Sequence, residues 1–210
     1  MKVVCLNWNN YLGRGDEYVS KLRNMVARHL TIPYEFIVVT EADLPTGKEG
    51  WWNKLSLLRM YGDVGTVLYL DLDVVISGNI DHLITLARTN RSKLWMRDDF
   101  SYSIVEPRID DPETIKLLGG RGCCNSSVII YHSKLNLSGV TPQMLAEMHG
   151  DQNVLTHLFW PHCIGLLPND SIKSYKYHWQ QDKGYGPITV FHGTPKNHEV
   201  NDQWVLDSWR

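Results

Sequence analysis

In the stretch Val67-Leu68-Tyr69-Leu70-Asp71-Leu72-Asp73-Val74-Val75, four apolar residues run straight into a carboxylate, and a second carboxylate follows two positions later. A short apolar run preceded by Gly62 and Gly65 has the pattern of a buried strand. In open α/β sheets, ligands gather at the carboxyl ends of the strands. Asp71 and Asp73 therefore stand where a site is expected. Alternation along an extended chain places both carboxylates on the same side, close enough to share one hard cation.

The segments around this strand alternate strand and helix signals, the signature of an α/β layer with parallel strands. Upstream, Val3 to Leu6 reads as a first strand and Asn7 to Asp16 as a polar loop. Glu17 to Leu30 is helical through Val19, Leu22, Met25, Val26 and Leu30, Tyr34 to Val39 is a second buried strand, and Trp52 to Tyr61 a helix. Downstream, helices are expected at 80–89, 142–148 and 152–158, with strands at 94–96, 127–131, 164–166 and 188–191. Beyond Asn197 the chain is polar with isolated tryptophans. Without repeats or linkers, residues 1–210 read as a single domain long enough to bury about two-thirds of its unfolded surface.

Composition narrows the function. A net charge of −2 gives no basic excess for neutralising phosphates along DNA or RNA, so nucleic acid is not an expected partner. No window of about 18 apolar residues occurs. The amino terminus turns polar after a short apolar run, which reads as a strand and not a signal peptide. A soluble cytoplasmic protein is the expectation. Cys5, Cys123, Cys124 and Cys163 form no C-x-x-C pair and are expected to be reduced. Eight Trp and ten Tyr suit both core packing and stacking on sugars or bases.

A second chemical signal closes the chain. Val190-Phe191-His192-Gly193-Thr194-Pro195-Lys196 ends an apolar run with an imidazole and an ammonium. His192 can bind metal while Lys196 grips phosphate as a point charge. A nitrogen ligand beside two carboxylates favours Mn²⁺ over Mg²⁺.

Taken in order, these motifs resemble the family-eight glycosyltransferases, the group of glycogenin and the bacterial lipopolysaccharide galactosyltransferases. The likeness runs from about Lys54 to Lys196. It implies the GT-A fold, a Rossmann-like single domain with a mixed, mostly parallel central sheet. It implies that Asp71, Asp73 and His192 bind the metal, Mn²⁺ or Mg²⁺, and that Lys196 binds phosphate. It further implies that Lys54, Asp98 or Asp99, and Asn125 contact the donor, and that Asp151-Gln152 lie beside the reacting sugar carbon. Asn7 to Tyr11 sit where the family binds base and ribose, so Trp8 or Tyr11 could stack on uracil. The Trp that follows the family's Lys is replaced here by Asn197-His198-Glu199.

The implied activity is metal-dependent transfer of a hexose from a UDP-sugar to a saccharide, lipid-linked or protein hydroxyl, with retention. Either Asp151 attacks the sugar, or the leaving phosphate assists the acceptor. Other roles fit single residues: a solvated helix face for Lys54, a cap or turn for Asn125, a helix N-cap for Asp151. Three rival functions are a haloacid-dehalogenase-type phosphatase with Asp71 as nucleophile, a nucleotidyltransferase and a sugar-binding module. The phosphatase would carry its first acidic motif near the amino terminus. The nucleotidyltransferase would carry a Gly-rich basic loop after the first strand, and the module leaves His192 and Lys196 unexplained.

Overall fold

A computed structural model describes residues 1–44, 50–61, 65–98, 100, 123–132, 137–148, 150–160 and 162–210. Nine strands and six α-helices are described: β1 (Lys2–Leu6), α1 (Gly15–His29), β2 (Glu35–Val39), α2 (Asn53–Met60), β3 (Val67–Leu70), β4 (Val74–Ile76), α3 (Asp81–Thr89), β5 (Leu94–Arg97), β6 (Asn125–Tyr131), α4 (Pro142–Glu147), α5 (Asp151–Phe159), β7 (Ile164–Leu167), β8 (Ile172–Ser174), β9 (Ile188–Val190) and α6 (Gln203–Ser208). Six strands form a central sheet in the order β2-β1-β3-β6-β5-β7. β6 alone runs against its neighbours, so the sheet is mixed and mostly parallel.

The two-residue period of the strands divides the core between the faces of this sheet. Val3, Cys5, Leu68, Leu70, Val128 and Ile130 join one apolar cluster with the buried sides of α1 and α3. Val4, Leu6, Val67, Tyr69, Ile129 and Tyr131 join another with α2 and α5. Most of these side chains are fully buried, and each contributes about 1.5–3 kcal/mol relative to leaving it in water. β2 is an edge strand, with only Val39 buried, so the expectation of a second buried strand is corrected.

A second sheet, β4-β9-β8, carries the ends of the site. β4 and β9 pair antiparallel with Val74 opposite Val190, and the Phe191 N–H donates to the carbonyl of Asp73 at 3.0 Å. The residue before β4 is thereby set beside the residues that follow β9. The polar carboxyl-terminal stretch is also structured: α6 buries Val205, and Trp209 packs edge-on against Tyr18 of α1. No helix among the described residues is long and apolar enough to cross a membrane.

Candidate active site

A cleft of about 690 Å³ opens at the carboxyl ends of β1 and β3. Trp8, Tyr11, Lys54, Asp71, Asp73, His192 and Lys196 all line it. β3 stops at Leu70, and a turn covers Leu72 and Asp73 before β4 begins. Strand alternation is therefore not what gathers the two carboxylates, which corrects the sequence reading. A turn does so, anchored by Leu72, which is buried in the core, and by the Asp71 N–H, which donates to Ser127 at 2.9 Å.

Each carboxylate is held by an ammonium. Lys54 Nζ reaches both oxygens of Asp71, at 2.9 and 3.0 Å, and stands 3.6 Å from Asp151. It also donates to the carbonyl and hydroxyl of Ser126. At 6% exposure Lys54 does not lie on a solvated helix face. Burial pulls its pKa down, but Asp151 and Asp71 overcome this and raise it, so it stays charged. The Tyr69 hydroxyl completes the shell of Asp71 at 2.7 Å.

Asp73 accepts from Lys196 Nζ and, at 3.0 Å, from the Tyr11 hydroxyl. Burial and the charge of Asp71 raise the Asp73 pKa against the pull of Lys196. Lys196 returns to the cleft because Gly193 turns the chain through a left-handed conformation, φ +72°, that a side chain would strain. The cluster holds three carboxylates and two ammoniums, leaving one net negative charge.

His192 is neutral near pH 7: burial, with the cations of Lys176 and Lys196, lowers its pKa to about 4. Its Nε2 lies 2.7 Å from the hydroxyl of Ser174. The ring stacks with Phe100 and with Tyr177. Among the described residues, no three acidic, His or Cys side chains converge as a ready metal-holding group. Asp71, Asp73 and His192 share the cleft without already surrounding one point.

Among the described residues, Asn7, Asp98, Asn125, Asp151 and Gln152 do not line the cleft. Asp151 is 3% exposed and faces Lys54 from below. It is the first residue of α5, whose N-cap is Gly150, so the N-cap reading is corrected. Gln152 donates to the sulfur of Cys123 at 3.1 Å. The Asn125 side-chain oxygen accepts the Ser127 N–H, and the Asp98 backbone carbonyl accepts from Arg97. Asp99 lies outside the described residues. Asn7 shapes the loop by accepting the Tyr11 N–H at 3.1 Å. In that loop Asn9, Asn10 and Leu12 adopt positive φ, a strained backbone of the kind held at sites.

Sequence reasoning missed Tyr69, Ser126 and Ser174. Tyr69 was legible, since it lies two residues before Asp71 and alternation points it the same way. The two serines carry no pattern that sets them apart.

No protein-family model and no curated protein matches the chain. Solved structures do. A complex of the galactosyltransferase LgtC with donor and acceptor sugar analogues superposes with a TM-score of 0.64 at 16% identity, covering 94% of this chain and 89% of that one. The chain has the GT-A fold. An active-site mutant of LgtC, glutamine changed to glutamate, gives 0.66 at 15% identity over the same shares. Mouse xyloside xylosyltransferase 1 gives 0.55 at 12% identity over 93% of this chain and all of that one. The expectation of a mixed, mostly parallel GT-A sheet is met.

Proposed function

We propose that this chain transfers a hexose from a nucleotide-sugar, a UDP-sugar, to a hydroxyl acceptor, with the aid of a divalent cation and with retention. The observation that carries the reading is the interlocked pair of carboxylates in the cleft, Asp71 on Lys54 and Asp73 on Lys196 and Tyr11. The donor set fits a hard dication: ionised carboxylates keep lone pairs beyond those already engaged, and a neutral imidazole stands nearby. Asp71 and Asp73 would hold the cation, with His192 joining them, and Mn²⁺ or Mg²⁺ suits the set. When bound, it neutralises phosphate charge and acts as a Lewis acid toward the leaving diphosphate.

The chain's own residues supply the rest. A cluster with one net negative charge becomes positive on binding a dication, which is the sign a diphosphate requires. Lys196, at the cleft wall and paired with Asp73, supports a role in which it exchanges that carboxylate for phosphate. Fixed cations facing developing negative charge account for much of the barrier lowering in such a transfer. Trp8 and Tyr11 form the wall against which a base can stack. Lys54 lines the cleft and holds Asp71, which supports a role in keeping that carboxylate in register. Asp151, buried and paired with Lys54, lies outside the cleft lining, which favours assistance by the leaving phosphate over attack by Asp151. Gln152, beside Asp151 at the start of α5, is tested by Gln152→Glu, which asks whether its amide matters.

The test is calorimetric titration with UDP, with and without Mn²⁺. Binding that needs the cation, and that Asp71→Asn and Asp73→Asn abolish, is expected. Equal UDP binding with cation chelated would overturn the reading.

A further inference from the structure

The contact between Ser174 and His192 is not explained by the proposed chemistry. Ser174 ends β8, opposite Val190 on β9, and is fully buried. Its hydroxyl oxygen lies 2.7 Å from His192 Nε2 and accepts the backbone N–H of Tyr177 at 3.1 Å. A serine hydroxyl has one proton and two lone pairs. With one lone pair given to Tyr177, the proton needs an acceptor, and among the described residues Nε2 is the one in reach. A buried O–H left unpaired loses more than a satisfied one contributes. The hydroxyl therefore donates, Nε2 accepts, and the neutral ring carries its own proton on Nδ1. Stacking on Phe100, with centroids 5.4 Å apart and planes 3° apart, and on Tyr177 resists rotation of the ring.

We propose that Ser174 is a positioning residue that withholds the lone pair of His192, so that the imidazole ligates a dication only by taking Nε2 away from the serine hydroxyl. The inference rests on the metal reading above. In it, Asp71 and Asp73 hold the cation first and His192 joins last, consistent with the three groups not already converging. The site's cation affinity is then set partly by a residue that never touches the cation.

Two measurements test this. In ¹⁵N-histidine-labelled wild-type protein without cation, long-range nitrogen–proton correlations should show His192 Nδ1 protonated and Nε2 bare, with His192→Gln identifying the signal. This judges the serine without any substitution at position 174. A His192 protonated on Nε2 overturns the proposal. The second measurement is Mn²⁺ affinity by titration calorimetry. Ser174→Ala should bind Mn²⁺ about three- to tenfold more tightly, the scale of one net hydrogen bond, and Ser174→Cys, a weaker donor, should fall between. Adding His192→Gln to Ser174→Ala should erase the gain. Unchanged or weaker binding by Ser174→Ala overturns the proposal. Failure of the metal reading looks different: wild type and Ser174→Ala alike then bind no Mn²⁺, while the cation-free protonation pattern stands.

Discussion

Lys54 shows how one side chain ties the site to the core. It is 6% exposed and serves Asp71 and Asp151 together. Replacing it with Met keeps the stem but leaves two carboxylates facing each other across a buried gap. Removing one partner of a buried pair costs about 3–5 kcal/mol. Urea unfolding of Lys54→Met should show a loss of that order, and a change under 1 kcal/mol would mean that water reaches both acids. His192 and His178 give a second prediction. Burial, followed for His178 by Arg97 and for His192 by Lys176, lowers each pKa from 6.5 to about 4. Between those values the unfolded chain binds more protons than the folded one, so stability is complete above pH 6.5 and declines as pH falls toward 4. Melting temperature followed over that range should drop, and the slope should lessen in His178→Phe.

Among the elements, the loop from Asn7 to Gly13 is the most exacting. A Cβ at Gly15 would come 2.1 Å from the Asn7 side-chain oxygen that receives the Tyr11 N–H. Gly15→Ala should therefore expel Asn7, release Tyr11 from Asp73 and cost about 1–3 kcal/mol. Gly13→Ala makes the contrasting case: its φ is +70° but nothing lies within 4 Å, so only backbone strain of about 1–2 kcal/mol is expected. Thermal melts of both variants, beside their UDP affinities, separate the two causes, because only Gly15→Ala should weaken UDP binding markedly. This is also the scale at which sequence reading succeeds and fails. β1, β3 and β6 were legible because each contains an apolar run, Val3 to Leu6, Val67 to Leu70 and Val128 to Tyr131, in a buried sheet. β4 and β8 were not, since three residues such as Ile172-Lys173-Ser174 show no period. α6 was not legible either, since Val205 is its one buried residue and the helix shows no apolar face. Lys54 was found by position in a motif, yet its burial depends on Asp151 and Ser126, which are distant in sequence.

For the whole molecule, the fold was readable because alternation of strands and helices constrains topology strongly. The site was readable only as an ordered series of fragments. Its convergence depends on the second sheet, in which β4 and β9 meet. A ligand that binds the assembled cleft alone must stabilise the entire fold by mass action, by about 2.7 kcal/mol at a concentration one hundred times its Kd. UDP with Mn²⁺ should raise the melting temperature, chelation should return it to the value without ligand, and Asp73→Asn should show no rise.

The β4–β9 pairing also has a consequence in time. Asp73 and Lys196 are separated by 123 positions in the chain. Contacts of such span form late, because closing the intervening loop costs entropy before any contact rewards it. During synthesis, the strand leading into Asp71 and the helix bearing Lys54 emerge before Lys196 and can associate, while Asp73 waits for its ammonium. A chain that stops short of Lys196 thus carries Asp73 without its ammonium. The second ion pair of the cleft is therefore assembled only after Lys196, 123 positions beyond Asp73, has been added to the chain.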